Sequence, residues 1–338
     1  MRRSTAAPAA LLTILALLSV AAAPVAAGNP EAQSEAGNEH QRIVAYWTAE
    51  RVADAKPRDF ERGANGAFNA ARVNPSKGKP GTGGGTGAVT GASWTMGTTV
   101  VQKTGKVLFT MGGSQYVCSG SAVDDTRTGY SLILTAGHCA YDEAAGAFAT
   151  NWMYVPSFDT APTFTCANST YGCWTASALV VHSGYSTAGS FNTQATVHDF
   201  AIATVGPGGK DGSTQLDSLG SFGIGYPAIS TGAKVHAFGY PAAGRYQGND
   251  LTYCAGNTFN DVLNGNATWG IACNMTGGSS GGPWLGAFSE TTGVGTLTSL
   301  NSYGYGGLSN MYGPKFNGKT QAVVQAANGA TTSNVIVP

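Results

Sequence analysis

The chain has 338 residues with 18 basic and 18 acidic side chains, so no net charge marks it as a nucleic-acid binder. Charged residues make up 11% of it, against roughly 25% in an ordinary soluble domain, and its 49 glycines are about twice ordinary usage. That texture argues against a charged helical protein of the cytosol and for a turn-rich extracellular β protein, while 42% hydrophobic residues leave ample material for a core.

Arg2 and Arg3 precede the apolar run PAALLTILALLSVAAAPVAA, which ends in small residues. A basic start, a short apolar middle and a small-residue exit read as a secretory signal peptide over residues 1–27, cut after Ala27 or, alternatively, Ala23. A membrane anchor is the weaker reading, because alanine-rich sequence of this length spans a bilayer poorly. No later segment has eighteen consecutive apolar residues, so the expectation is an exported protein with no stable membrane association.

Residues 28–80 hold fifteen of the 36 charged side chains. Within them IVAYWTAERVADAKPRDF predicts a helix, with Thr48 as a possible cap and Pro57 as its close. The Pro/Gly-rich stretch 74–93 then reads as a flexible linker. The spacing gives a pro-segment over 28–80 and a linker over 81–93 ahead of a low-charge body; a small N-terminal binding module is the alternative.

From residue 94 the pattern changes to short apolar or alternating runs bounded by Gly, Pro, Asn and Ser: GKVLFTMGG, YVCSGSAV, YSLILTAGHC, HDFAIATVG and AKVHAFGYPA among them. Many short strands at such spacing predict an all-β sandwich or barrel. A late helix is predicted over TQAVVQAANG, with Thr320 as cap and Gly329 as stop. About 245 residues suffice for two small barrels.

The six cysteines, at 118, 139, 166, 173, 254 and 273, read outside the cell as disulfides. No pair has the C-x-x-C spacing of a zinc site, and the chain calls for no metal or cofactor. Fifteen connectivities are possible; the clustering favours sequential bridges, with Cys118 and Cys139 joining neighbouring strands.

The run CNMTGGSSGGPW offers two serines framed by glycine. Its Gly278-to-Gly282 portion fits the G-x-S-x-G elbow of α/β-hydrolases, whose triad runs Ser, then acid, then His. All five histidines precede Ser280 and Glu290 is the only acid after it, so that order is impossible here. The order His, Asp, Ser is available. His138 in LTAGHC is held beside Cys139 as a general base, and Asp199 in HDFAIA begins an apolar strand, where a desolvated carboxylate can orient an imidazole. His182 and His236 read as packed or surface residues, and His198 is merely the neighbour of Asp199.

LTAGHC, HDFAIA and GGSSGGP, in this order, resemble the triad motifs of the chymotrypsin/trypsin family of serine endopeptidases. CSGSAV, CNMTGGSSGGPW and the pro-segment are similar more narrowly to secreted bacterial trypsin-like peptidases related to the glutamyl endopeptidases. The resemblance covers about residues 94–330. It implies two six-stranded antiparallel β-barrels with a short C-terminal helix in a body spanning 94–338, polypeptide substrates and a monomer. It further implies Ser280 as nucleophile and an oxyanion hole from the N–H groups of Gly278 and Ser280. Asn274 falls at the pocket base and residues 301–307 form the far wall, Ser302 and Gly304 offering backbone contacts to substrate. Serine at position 279 departs from the aspartate that animal trypsins pair with a new N-terminal amine, which leaves the pro-segment as folding aid or steric inhibitor.

Overall fold

The computed structural model describes Met1 and residues 30–71, 88–97, 99–158, 164–227 and 229–338. Apart from Met1, the leader expected over 1–27 lies outside the described residues, as does the linker between 72 and 87. Six strands close the first barrel: Thr104–Met111, Ser114–Val123, Ser131–Thr135, Thr150–Pro156, Trp174–His182 and Ala201–Val205. The first two form a hairpin across Gly112-Gly113, and the ladder Ser121↔Leu134, Ala122↔Ile133, Val123↔Leu132 completes the ring. Runs such as SLILT and AIATV are buried along their whole length, the pattern of strands covered on both faces.

The C-terminal half folds as two sheets. One carries Val294–Leu300, Pro283–Ser289, Lys234–Gly239 and Thr252–Asn257; the other carries Phe259–Asn260, Thr268–Ala272, Asn310–Pro314 and Tyr303–Tyr305. Strands of both sheets enclose a second core built on Val235, Ala237, Trp269, Ile271, Met275 and Trp284. The all-β two-barrel architecture is thus present, with one correction: the second barrel is open, since no ladder joins its two sheets among the described residues. Side-chain bonds bridge a seam instead, Ser299 Oγ donating to Pro314 O at 2.8 Å. The set is not purely antiparallel either. Val335–Val337 joins Trp174–His182 in parallel after the last helix has turned the chain back.

That helix spans Gly318–Gly329 and buries Val323, Val324 and Ala327. Its cap is Asn317, whose side chain accepts from Lys319 N, while Thr320 closes the box from the third helical position. The expected cap is therefore one turn too late. Upstream, the single helix expected over IVAYWTAERVADAKPRDF is two, Pro30–Tyr46 and Ala49–Asp54, because Thr48 interrupts the chain to cap the second. Pro57 lies beyond the helix in a short strand, Lys56–Pro57. The expected linker also ends early: Val89–Ser93 is a strand on the edge of Thr252–Asn257. The extended linker reading failed there because glycine content masks a backbone whose partner is remote in sequence.

Candidate active site

Strand pairing brings the histidine to the aspartate. Thr135 pairs with Ala201, so the residues just after one strand and just before the other share one end of the barrel. His138 enters on a tight turn, Gly137–Cys139, and Asp199 sits two residues ahead of Ala201–Val205. Asp199 Oδ2 lies 2.8 Å from His138 Nδ1 and Oδ1 accepts the His138 N–H at 2.8 Å, so one carboxylate fixes both ring and backbone. Both residues are 0% exposed. Ser302 Oγ also donates to Asp199 Oδ2. A buried carboxylate bonded to three donors is held in one orientation.

Ser280 lies on the turn between Ala272 and Pro283, at the junction of the two halves. Gly278 there has φ +95°, and a side chain at that position would run into Ala242 and the Tyr240 carbonyl. The turn is tied to the first barrel by Ser119, whose Oγ donates to Gly278 O at 2.9 Å and whose N–H donates to Ser280 O at 2.7 Å. Within the turn Ser279 N, Gly281 N and Gly282 N bond to Thr276 O, Asn301 O and Ser279 O. None of these bonds uses the N–H of Gly278 or Ser280, the two donors expected to form the oxyanion hole. Ser279 Oγ points inward to Thr276 O at 2.8 Å.

The Ser280 hydroxyl donates to Asp59 Oδ1 at 3.1 Å, and Ser280 is 1% exposed. His138 Nε2 is buried and makes no hydrogen bond with the described residues. Phe60 meets the His138 ring edge-on at 5.5 Å and stacks on Phe191 at 4.1 Å. Two consecutive residues of the N-terminal segment thus reach Ser280 and His138.

The remaining expected residues divide. Gly304 pairs in parallel with Glu61 of the strand Phe60–Arg62. The Ser302 N–H donates to Tyr312 O at 2.9 Å and its hydroxyl donates to Asp199. Asn274 is buried, its Oδ1 accepting from Tyr246 OH, and it abuts Gly91 of the Val89–Ser93 strand. The three bridges are Cys118–Cys139, Cys166–Cys173 and Cys254–Cys273.

Three partners escaped sequence reading. Asp261 is buried and accepts from Tyr303 OH at 2.6 Å and Tyr305 OH at 2.8 Å, bracing the wall strand from beneath. The Tyr303 phenol is held well above its ordinary value by burial first and by the Asp261 bond second. Tyr185, close against Gly137, donates to Glu143 at 2.8 Å, and Glu143 pairs with Arg58 at 3.3 Å. Burial, then the Asp199 and Glu143 charges, push the Tyr185 hydroxyl far up, so it remains a donor. Ser119, in CSGSAV, was legible only as part of a motif.

Neither family models nor curated proteins match the chain, but solved structures do. The protease Anisep from Arthrobacter nicotinovorans is 38% identical, with 71% of this chain and all of that one aligned at a TM-score of 0.58. The thermostable serine protease AL20 from an extremophilic microorganism is 34% identical over 69% of this chain and 99% of that one, TM-score 0.57. A Glu endopeptidase at 19% identity and TM-score 0.52, covering 71% of this chain and 97% of that one, shares the fold. The barrels and these likenesses define a peptide hydrolase of chymotrypsin-like architecture. The chain belongs to the chymotrypsin/trypsin family of serine peptidases.

Proposed function

We propose that this chain is the precursor of an exported serine endopeptidase. His138 is the general base, Asp199 orients it and stabilises the imidazolium, and Ser280 forms the acyl-enzyme. The observation that carries the reading is the doubly bonded His138–Asp199 pair, 2.8 Å on each arm and fully buried, at the barrel end nearest Ser280. The Gly278 and Ser280 N–H groups stabilise the tetrahedral oxyanion. Asn274 lies at the base of the specificity pocket, and the Gly304 edge takes the extended substrate. Three disulfides and a basic-apolar-small leader support export, with residues 28–80 removed before activity. No helix among the described residues is long and apolar enough to cross a membrane.

The test is covalent labelling by a fluorophosphonate after removal of the pro-segment, with casein hydrolysis in parallel. Labelling at Ser280 that Ser280→Ala abolishes is expected. Hydrolysis persisting in that variant would refute the assignment.

A further inference from the structure

We propose that the stretch from Lys56 to Ala71 is a peptide ligand of the catalytic cleft, an internal inhibitor that the enzyme does not cut and that stays bound after the linker is severed. The proposal rests on the peptidase reading above.

The stretch crosses the junction of the two halves and adds a strand to each. Lys56–Pro57 pairs in parallel with the first barrel (Lys56↔Tyr116, Pro57↔Val117). Phe60–Arg62 pairs in parallel with the wall strand of the second half (Tyr303↔Phe60, Gly304↔Glu61, Tyr305↔Arg62). Strand addition of this kind is a general mode of peptide recognition. Between the two strands, Arg58 Nη1 donates to the His138 carbonyl and pairs with Glu143, while Asp59 meets Ser280. The approach is close: a side chain at Gly277 would lie 2.8 Å from Pro57 Cβ and 2.9 Å from Asp59 Cβ.

Its resistance to cleavage follows from which oxygen faces the nucleophile. Ser280 donates its proton to the Asp59 carboxylate, not to the histidine that must remove it. A carboxylate is charged and resonance-stabilised, so its carbon is a poor electrophile. The Asp59 peptide carbonyl is engaged elsewhere, accepting the Ala71 N–H at 2.8 Å where the hairpin Phe60–Arg62/Phe68–Ala70 closes. The residue at the nucleophile therefore presents its side chain and withholds its scissile carbonyl.

Retention follows from a second grip on the first barrel. Ile43 and Trp47 are each 3% exposed, Trp47 Nε1 donates to Asn151 O at 2.7 Å, and His40 Nδ1 lies 3.0 Å from Thr175 Oγ1. These contacts do not depend on covalent attachment through residues 72–87. A linker cut alone should leave the cleft filled.

The experiment uses the full chain, nicked by added trypsin in the linker that carries Lys77 and Lys79. Fluorophosphonate labelling and casein hydrolysis are measured on the intact chain, on the nicked complex, and after the two pieces are separated. The nicked complex should label as slowly as the intact chain, and separation should release activity. A synthetic peptide of residues 56–71 added back should raise KM, leave kcat unchanged and be recovered whole. In the intact chain Asp59→Ala should speed labelling by about 10- to 100-fold, the loss expected for a hydrogen bond to a charged group. If Asp59→Ala does not fold, the peptide add-back alone decides the matter. Full activity of the nicked complex, or a peptide that is hydrolysed or without effect, would overturn the proposal. A separated body that neither labels nor hydrolyses casein would instead overturn the peptidase reading, and this inference with it.

Discussion

The two halves of the molecule reach a β-barrel by different means, and the difference bears on control. The first half closes on itself: six strands meet in one continuous ladder, and its rim holds His138 and Asp199 through pairing that no other segment supplies. The second half leaves its sheets open, and the N-terminal residues complete them. Val89–Ser93 takes one edge, and Phe60–Arg62 with Phe68–Ala70 takes another. An exposed sheet edge is a template for a further strand. A substrate edge and an inhibitor edge can therefore be the same edge of the open half. The His138–Asp199 pair is thus preset in the closed half, while the open half receives the N-terminal hairpin and the Val89–Ser93 strand.

The largest effect tests whether the halves cooperate at one serine. Ser280→Ala should lower kcat/KM of the processed enzyme by roughly 10⁴-fold or more. Ser279→Ala, which loses only an inward bond to Thr276 O, should remain active with about 1 kcal/mol less stability. An active Ser280→Ala beside a dead Ser279→Ala would reverse the assignment.

Next comes the brace beneath the wall strand. Asp261→Ala removes the acceptor shared by the Tyr303 and Tyr305 hydroxyls, leaving Tyr303 to Thr268 and Asn264, and should cost about 1–3 kcal/mol in urea unfolding, raising KM through a loosened wall. An unchanged midpoint and KM would show that the open half needs no such support.

A smaller effect concerns the other borrowed edge. Enzymes beginning at Gly81 or Gly87 keep the pairs Cys254↔Thr90 and Ala255↔Val89; one beginning at Ala92 loses them. The first two should match in kcat/KM and stability, and the third should be less stable by about 1–2 kcal/mol. Identical melting of all three would mean that the Val89–Ser93 strand contributes nothing.

The smallest is a response to acid, and it falls in the first half. Burial first, then the nearby His198 and Lys319 charges, depress His182 to about 4. Above about pH 6.5 the ring is neutral folded or unfolded, and no penalty arises. Between that point and about 4 the unfolded chain takes up a proton that the folded one refuses, so stability falls as pH drops. His182→Asn keeps an acceptor for Gly184 N and removes the titration. The variant should lose roughly 2–4 °C less in Tm than the parent across that window. Parallel Tm profiles would rule out His182 as a contributor.

Much of this was legible in the chain itself. The order of LTAGHC, HDFAIA and GGSSGGP excluded the α/β-hydrolase arrangement without any coordinates, and short alternating runs fixed an all-β body. Cysteine clustering indicated three sequential bridges, and these formed. Such features are local, or depend only on order along the chain, and sequence records both. What tertiary structure alone decided is every contact between remote residues of ordinary composition. Asp59 and Ser280 are 221 positions apart and Ser302 and Asp199 are 103 apart. Neither Asp59 nor Ser302 differs by type from its many solvated counterparts. The stretch PRDF reads as the close of a helix until folding sets it against a cleft. A glycine-rich stretch reads as linker until a distant edge pairs with it. The residues proposed to do the chemistry were visible because their motifs are short. The residues proposed to withhold it were hidden, because only the packing of the N-terminal segment across both halves brings a carboxylate to the serine.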